Sequence, residues 1–108
     1  MIKAIYKGYT FYIGQNQNEN DMLVKTSSMN DYWIHAGEYS SAHVIILNPT
    51  QKRIHMKVIK RACYLLKLNT KKLKSIDSVL FHYTRVCNIE PTDKVGQVLV
   101  KNYSVLSL

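Results

Sequence analysis

The most informative stretch of this chain is Asp31-Tyr32-Trp33-Ile34-His35, followed by Ser40-Ser41-Ala42-His43-Val44. Small and polar residues between the two segments are typical of a turn, and the alternating and apolar residues on either side are typical of strands. The pattern therefore predicts two strands that pair in antiparallel fashion. Because this pair holds the only tryptophan of the chain and two of its four histidines, it also indicates where a functional site lies.

The first of these strands predicts the composition of one surface. Successive side chains alternate between the two faces of a strand, so Asp31, Trp33 and His35 are expected to share a face. A symmetric turn would then place His35 opposite His43, and Trp33 opposite Ile45. One surface would hold an acid, a flat aromatic ring and two imidazoles.

The rest of the chain is expected to build a sheet and two helices around this pair. The predicted elements are a hairpin (3–7 and 9–14), a short helix from an N-cap at Asn18 to Lys25, the central strands (31–35 and 42–47), a long amphipathic helix (53–69), a strand (78–87) and a final strand pair (96–100 and 103–108). The predicted fold class is α+β, with a mostly antiparallel sheet, one long amphipathic helix packed on it and one short helix. The length suits a single domain, residues 1–108.

Positive charge is concentrated in the second half of the chain. The formal net charge is +8, yet residues 1–50 carry three lysines against four carboxylates, and residues 51–108 carry twelve lysines and arginines against three. No carboxylate lies between Lys52 and Lys74. Such one-sided charge predicts a polyanionic partner, because the basic segment would otherwise only repel itself.

A basic stripe is predicted on the exposed side of the long helix and just beyond it. Its cationic members would contact phosphates, and its tyrosine would offer a ring on which a base stacks. An ordinary solvated helix face is the alternative, although such faces usually mix charges of both signs. The candidate nucleic-acid-binding residues of the basic stripe are Lys57, Lys60, Arg61, Tyr64, Lys67, Lys71, Lys72 and Lys74.

The central strand pair supplies a second set of candidates. Trp33 would stack on a base, and His35 or His43 would hydrogen-bond a phosphate or a base edge, with Asp31 beside them. The alternative is structural, because a lone tryptophan in a strand often belongs to the core. The histidines would in that case bond Asp31 or a backbone carbonyl.

Asn20 and Asp21, near the start of the short helix, are supporting candidates. They would cap the helix. Alternatively, Asp21 would orient one of the strand histidines or contact a ribose hydroxyl, the group that distinguishes RNA from DNA. The other histidines, His55 and His82, are interpreted as ordinary positions.

Motifs of known enzymes are absent from the sequence. It contains no metal-ligand spacing, no phosphate-binding glycine loop and no nucleophile elbow. We therefore predict no catalytic residue, no metal ion and no cofactor. An acid near a histidine could still serve metal-dependent or acid–base RNA processing, so an enzyme stays as the least favoured alternative.

Cys63 and Cys87 are expected to be free thiols in a reducing compartment, with a disulfide as the alternative.

Landmarks along the chain resemble the NFACT-R domain, the RNA-binding-type module of ribosome quality-control proteins. The matching segments, in order, are Ile13-Gly14-Gln15-Asn16, Asn20-Asp21-Met22-Leu23, Asp31-x-Trp33-x-His35 with Ser40-Ser41-Ala42-His43-Val44, Ala62-Cys63, Tyr83-Thr84 and Val95-Gly96-Gln97-Val98. The Ser-Ser-Ala-His spelling resembles the small eukaryotic homologues, in which this domain precedes a coiled coil.

The resemblance implies a non-catalytic domain that binds nucleic acid, RNA rather than DNA, with tRNA or the ribosome as candidate partners. It also implies a setting in translation or ribosome-associated quality control. Tail elongation by the large members depends on an N-terminal domain and a long coiled coil, so we do not expect it of these 108 residues.

The alternative to a nucleic-acid-binding domain is a protein-interaction module that docks on an acidic partner. No apolar run reaches the roughly 20 residues of a membrane span, so we expect a cytoplasmic domain without a membrane partner. The sequence makes no prediction of oligomeric state.

Overall fold

A computed structural model describes all 108 residues. The strands are β1 (Ile2–Tyr6), β2 (Tyr9–Gly14), β3 (Tyr32–Ala36), β4 (His43–Ile46), β5 (Leu80–Arg85), β6 (Ile89–Pro91), β7 (Val98–Val100) and β8 (Ser104–Ser107). The helices are α1 (Gln17–Thr26) and α2 (Met56–Leu68), and short 3-10 turns occupy Lys71–Leu73 and Val86–Asn88. Helices mixed with a mostly antiparallel sheet are the fold class that the sequence predicts.

Six strands form the main sheet in the order β1-β2-β4-β3-β5-β8, and every neighbouring pair is antiparallel. Strands β3 and β4 lie at the centre, where nearly all of their residues are buried. Trp33 lies opposite Ile45 as predicted, and Ile34 lies opposite Val44. The order of the strands also places β5 directly beside β3, so residues distant in sequence become neighbours.

The two faces of this sheet are covered by different parts of the chain. Ile34 and Val44 point towards α2 and share a core with its buried residues. Trp33 and Ile45 point the other way and pack against α1 and β6. Because side chains alternate along a strand, the same two central strands contribute to both cores.

Helix α2 is shorter than the predicted helix over residues 53–69. It begins after His55, whose Nδ1 accepts the backbone N–H of Lys57 at 3.0 Å. The backbone N–H of Ile54 donates instead to the Tyr32 hydroxyl at 3.4 Å, outside the helix. The residues of α2 that are buried are Val58, Ile59, Ala62, Cys63 and Leu66. Neither α2 nor α1 has the length and apolar character that would let it cross a lipid bilayer.

Helix α1 begins two residues earlier than predicted. Its N-cap is Asn16, not Asn18, and the Asn16 side chain accepts the backbone N–H of Glu19 at 2.9 Å. Asn20, one turn into the helix, is buried, and its amide lies directly against the backbone of Gly14. A Cβ at Gly14 would overlap the Asn20 side chain, so the close packing of α1 on β2 requires a glycine.

The sequence predicts that β7 and β8 pair with each other, and this prediction is wrong. β7 pairs with β6 in a separate two-stranded sheet, whereas β8 pairs with β5 at the edge of the main sheet. Leu106 of β8 packs on the core beneath α2, but Val98 and Val100 of β7 pack on the core beneath α1. The apolar residues of the two strands therefore serve opposite faces of the sheet, which a single hairpin could not reach.

Replacing Gly14 with alanine should lower the free energy of unfolding by about 1–3 kcal/mol, because the added methyl group overpacks the contact with Asn20. The backbone amide of His43 donates to Asn20, so its NMR resonance should also shift. Gly8→Ala is the matched control, since Gly8 has a left-handed φ of 81° but no atom within 4 Å of a Cβ. It should cost about 1–2 kcal/mol from backbone strain alone and leave the His43 resonance in place. An unshifted His43 resonance in Gly14→Ala would contradict the packing argument.

Candidate nucleic-acid interface

Three histidines cross three adjacent strands on the face of the sheet covered by α1; we call His43, His35 and His82 the histidine row. His35 of β3 lies directly opposite His82 of β5. The rings of His35 and His43 meet edge to face, with 4.9 Å between centroids. Tyr103 extends the row by stacking on His82, with centroids 4.1 Å apart and planes 22° apart.

Sequence reasoning found two members of this row and missed His82, which it interpreted as an ordinary position. Only the pairing of β5 with β3 places His82 beside His35. Alternation along residues 78–87 could indicate which face His82 takes, but no local pattern reveals which strand lies next to it.

Trp33 supports the histidine row from within the core. Its indole is 2% exposed, and its Nε1–H donates to Nδ1 of His43 at 3.3 Å. The imidazole of His35 lies over the indole, with centroids 5.7 Å apart and planes 15° apart. The expectation that Trp33 stacks on a base is therefore corrected, because the ring has no open face.

Burial keeps the two central imidazoles uncharged. Burial, aided by the nearby charges of His82 and Lys72, lowers the pKa of His35 to about 4. Burial, together with His35, lowers the pKa of His43 to about 3. Since Nδ1 of His43 accepts a hydrogen bond from Trp33, the proton of the neutral ring resides on Nε2.

The supporting candidates Asn20 and Asp21 have different roles. Asn20 is buried, and its Oδ1 accepts the backbone N–H of His43 at 3.2 Å, so it holds the start of β4 against α1. Asp21 pairs with Lys25 at 2.7 Å and accepts the backbone N–H of Gly96. It does not orient a histidine, because its carboxylate is turned towards these two partners.

Asp31 does not belong to the histidine surface, which corrects a second expectation. It is buried before β3 begins, at the opposite end of the strand from His35. Its carboxylate accepts the backbone N–H of Asn48 at 2.8 Å and that of Ser28 at 2.9 Å. Asp31 therefore joins two loops. No group of three or more histidine, cysteine or carboxylate side chains is arranged to hold a metal ion.

The histidine row forms the floor of a cleft of about 480 Å³, a size typical of small-ligand sites. Its walls are the β3–β4 turn, the start of α1, and β7 with the residues before it. Gly37 in the first wall leaves room for the His82 ring, which a Cβ would overlap. Gly96 in the last wall has a φ of 80°, and a Cβ there would lie 2.9 Å from the carbonyl oxygen of Gln17. Gly37 therefore lets the first wall close on the floor, and Gly96 lets the last wall close on the start of α1.

The basic stripe is divided between two sides of the molecule. The members on α2 lie on the face of the sheet opposite the histidine row, since α2 covers the other core. Lys71 and Lys72, in the 3-10 turn after α2, lie on the side of the molecule where the histidines are, outside the lining of the cleft. Lys72 is close enough to His35 to lower its pKa, and Lys71 lines a second depression that shares four residues with the cleft. The structure thus joins the turn, but not α2, to the histidines.

Two members of the stripe already have partners within the protein. The guanidinium of Arg61 lies between the rings of Tyr6 and Tyr64, 5.3 and 5.5 Å from their centroids. The ammonium of Lys67 donates to the carbonyl of Leu108 at 3.2 Å. The stripe contains no ion pair, because the three pairs in the structure are Met1–Glu19, Lys25–Asp21 and Lys101–Glu90.

The sheet, its two covering helices and the cleft beside a basic turn define an α+β binding domain. Comparison with known families makes the class specific: the NFACT protein RNA binding domain matches residues 4–102. The chain belongs to this family, and the resemblance seen in its motifs is confirmed.

Individual relatives agree with this assignment. Over 105 residues the chain is 32% identical to a coiled-coil domain-containing protein 25 homolog of Dictyostelium discoideum, covering 93% of this chain and 51% of that protein. It is 33% identical over 95 residues to coiled-coil domain-containing protein 25 of Bos taurus, covering 83% and 46%. The chain thus spans about half the length of these curated relatives.

A solved structure has the same fold. It is the C-terminal part of the fibronectin/fibrinogen-binding protein from Streptococcus suis, with a TM-score of 0.85 and 21% sequence identity. The match covers 98% of this chain and 43% of the other. At this identity the likeness establishes the architecture and leaves the ligand to be argued from the site.

Asp31→Ala should lower the free energy of unfolding by about 1–3 kcal/mol, because it leaves the buried N–H of Asn48 without an acceptor. Asp31→Asn keeps a carbonyl oxygen at this position and should lose less. Urea titration measures both. Because Asp31 lies away from the cleft, neither folded variant should change the affinity for RNA. A weaker affinity at unchanged stability would show that Asp31 belongs to the binding site.

Acidification should destabilise the fold through the histidine row. Unfolded histidines bind a proton near pH 6.5, whereas folded His35 and His43 bind one only near pH 4 and 3. Between these values the unfolded chain binds more protons, so stability falls as the pH falls from about 7 to 4, by at most about 1.4 kcal/mol per pH unit for each histidine.

His43→Asn provides the matched test of this pH dependence. It retains an acceptor for the indole N–H of Trp33 but cannot take up a proton, so its stability should fall less steeply. Urea unfolding at several pH values compares the two slopes. Equal slopes in the variant and the parent would show that His43 is not a source of the acid sensitivity.

Proposed function

We propose that this chain is a non-catalytic RNA-binding domain whose binding site combines the 3-10 turn Lys71–Leu73 with the histidine cleft. One observation carries the proposal: Lys71, exposed and without a carboxylate partner, lines a depression continuous with a cleft whose floor holds the uncharged imidazoles of His35 and His43, and the charge of Lys72 acts on His35. Membership of an RNA-binding domain family supports the same function. Phosphates would bind at the rim, and the cleft would receive the less polar part of the ligand.

Electrostatic attraction would supply most of the affinity. Lys71, Lys72 and Lys74 are exposed and form no ion pair, so each is free to displace a counterion from a phosphate. The exposed cations of α2 would act on the other side of the molecule, where they attract RNA without reaching the cleft. With four to six phosphates neutralised, the log–log dependence of affinity on salt should have a slope of roughly −3 to −5.

The wider setting is part of the same proposal. We assign residues 1–108 to one NFACT-R-like domain that acts in the cytoplasm, with tRNA or ribosomal RNA as partner and a role in translation or ribosome-associated quality control. The free thiols Cys63 and Cys87 fit a reducing compartment. Burial raises the pKa of Cys63 to about 12, so this thiol would remain protonated and unreactive.

The double variant Lys71→Gln/Lys72→Gln should weaken RNA binding about tenfold and make the salt slope shallower by about 1 to 2. Lys57→Gln/Lys60→Gln is the matched control, because it removes the same charge from α2 on the opposite face. It should weaken binding only two- to threefold, through the long-range field. Fluorescence anisotropy with a labelled RNA between about 50 and 200 mM salt measures both.

Two results would contradict this placement. Equal losses in the two double variants would mean that RNA binds without preference for the cleft side. A salt slope near zero in the parent protein would remove the electrostatic basis of the proposal. Failure to bind RNA even at low salt would favour an acidic protein as the partner of these lysines.

A further inference from the structure

We propose that the histidine cleft binds one unpaired nucleobase, so that the domain selects single-stranded RNA or a frayed strand end over continuous duplex. This inference rests on the proposed function and adds to it the class of RNA. It follows from the shape of the cleft, the hydrogen-bonding groups on its floor, and the arrangement of rings and lysines at its rim.

The shape of the cleft favours an inserted ring. The floor is formed by the histidine row, and the β3–β4 turn and β7 rise on either side of it. Bases in a duplex are stacked and paired, so a concave site can receive one only when it is free of its neighbours. A volume of about 480 Å³ suits one flat heterocycle with part of its sugar and excludes a helix.

The floor of the cleft offers hydrogen bonds without charge. Nδ1 of His43 accepts the indole N–H of Trp33. The neutral ring therefore carries its N–H donor at Nε2. Neither this group nor the ring nitrogens of His35 has a hydrogen-bond partner in the protein. Because no buried side-chain nitrogen or oxygen is left unpaired, these nitrogens are reached from the cleft. Burial lowers the pKa values of the His35 and His43 rings, so both rings are uncharged at neutral pH. Uncharged ring nitrogens match the hydrogen-bonding edge of a base better than they match a phosphate.

The ring of Tyr103, stacked on His82 of the floor, provides a surface on which a base can stack. Tyr103 lies parallel to His82 and is 47% exposed, so one side of its ring remains open. A base that leaves the solvent could stack on this ring as it enters the cleft, an interaction that every base can make because each has a π-face. Trp33 cannot serve in this way, because His35 already covers it.

The lysines determine where the chain of the ligand would run. The depression beside Lys71 shares Gln17, Asn20, Ser40 and Ser41 with the cleft, so the two form one continuous groove. Phosphates that follow Lys71 and Lys72 would therefore pass along the rim while a base points inward. The uncharged rings of His35 and His43 inside and the ammonium groups outside match the polarity of a nucleotide, and the one carboxylate of the lining, Glu38, is exposed on the β3–β4 turn.

Three RNA probes of equal length test this inference: a single strand, the same strand in a blunt duplex, and a single strand with abasic nucleotides. The parent protein should bind the single strand about tenfold more tightly than either of the others. Tyr103→Ala and His82→Ala should each remove most of this preference while the salt slope stays unchanged. Both residues lie outside the Trp33–His43 hydrogen bond, and a thermal melt checks that the variants fold.

Tyr64→Ala is the matched control, because Tyr64 is 45% exposed on the opposite face of the sheet. It should leave the preference for the single strand intact. As a direct readout, the imidazole nitrogen resonances of His35 and His43 should shift when the single strand is added and stay in place when the duplex is added.

The outcomes separate this inference from the proposed function. Equal affinity for all three probes, with a steep salt slope and loss on Lys71→Gln/Lys72→Gln, would overturn the nucleobase site and leave RNA binding in place. A preference that survives Tyr103→Ala and His82→Ala would also overturn the site. Absence of binding to every probe would overturn both proposals.

Discussion

Strand β3 lies at the centre of the sheet, with Ile34 packed under α2 and Trp33 packed under α1. Both faces of this strand must be covered, so the chain needs two layers, one on each side. The layer above Trp33 is thin near the end of the strand, where α1 and β7 leave the histidine row accessible. The binding cleft is thus the part of the second core that the chain leaves open.

The indole of Trp33 links this core to the chemistry of the cleft. Its hydrogen bond to His43 fixes the tautomer of that ring, and its stacking contact supports His35. Burial of the same rings disfavours their protonation. Both rings are thereby kept as neutral donors and acceptors well below the pH at which a free histidine takes up a proton, whereas the lysines of the 3-10 turn lie exposed outside the cleft. The polarity of the site follows from the depth at which each side chain lies.

Sequence reasoning succeeded where the relevant contacts are local. The strand around Trp33 and its antiparallel pairing with β4, which sets Trp33 opposite Ile45, follow from segments within about a dozen residues of one another, and the family follows from short motifs along the chain. It failed where two distant segments meet. The place of His82 depends on the strand order, Asp31 is held by a loop beyond β4, and the basic stripe is divided because α2 covers one face while its C-terminal turn reaches towards the other.

The amino-acid sequence was enough to predict the family, the α+β class, the central strand pair and the excess of positive charge between Lys52 and Lys74. These properties depend on composition, short-range periodicity and motif spelling, which are present before the chain folds. Folding in three dimensions is what buries the indole, adds a third histidine to the row, and brings the turn with Lys71 and Lys72, rather than α2, to the side of the cleft. Each of these depends on which strands are neighbours and which face each segment covers, and that choice is made by the packing of two cores rather than by any one segment.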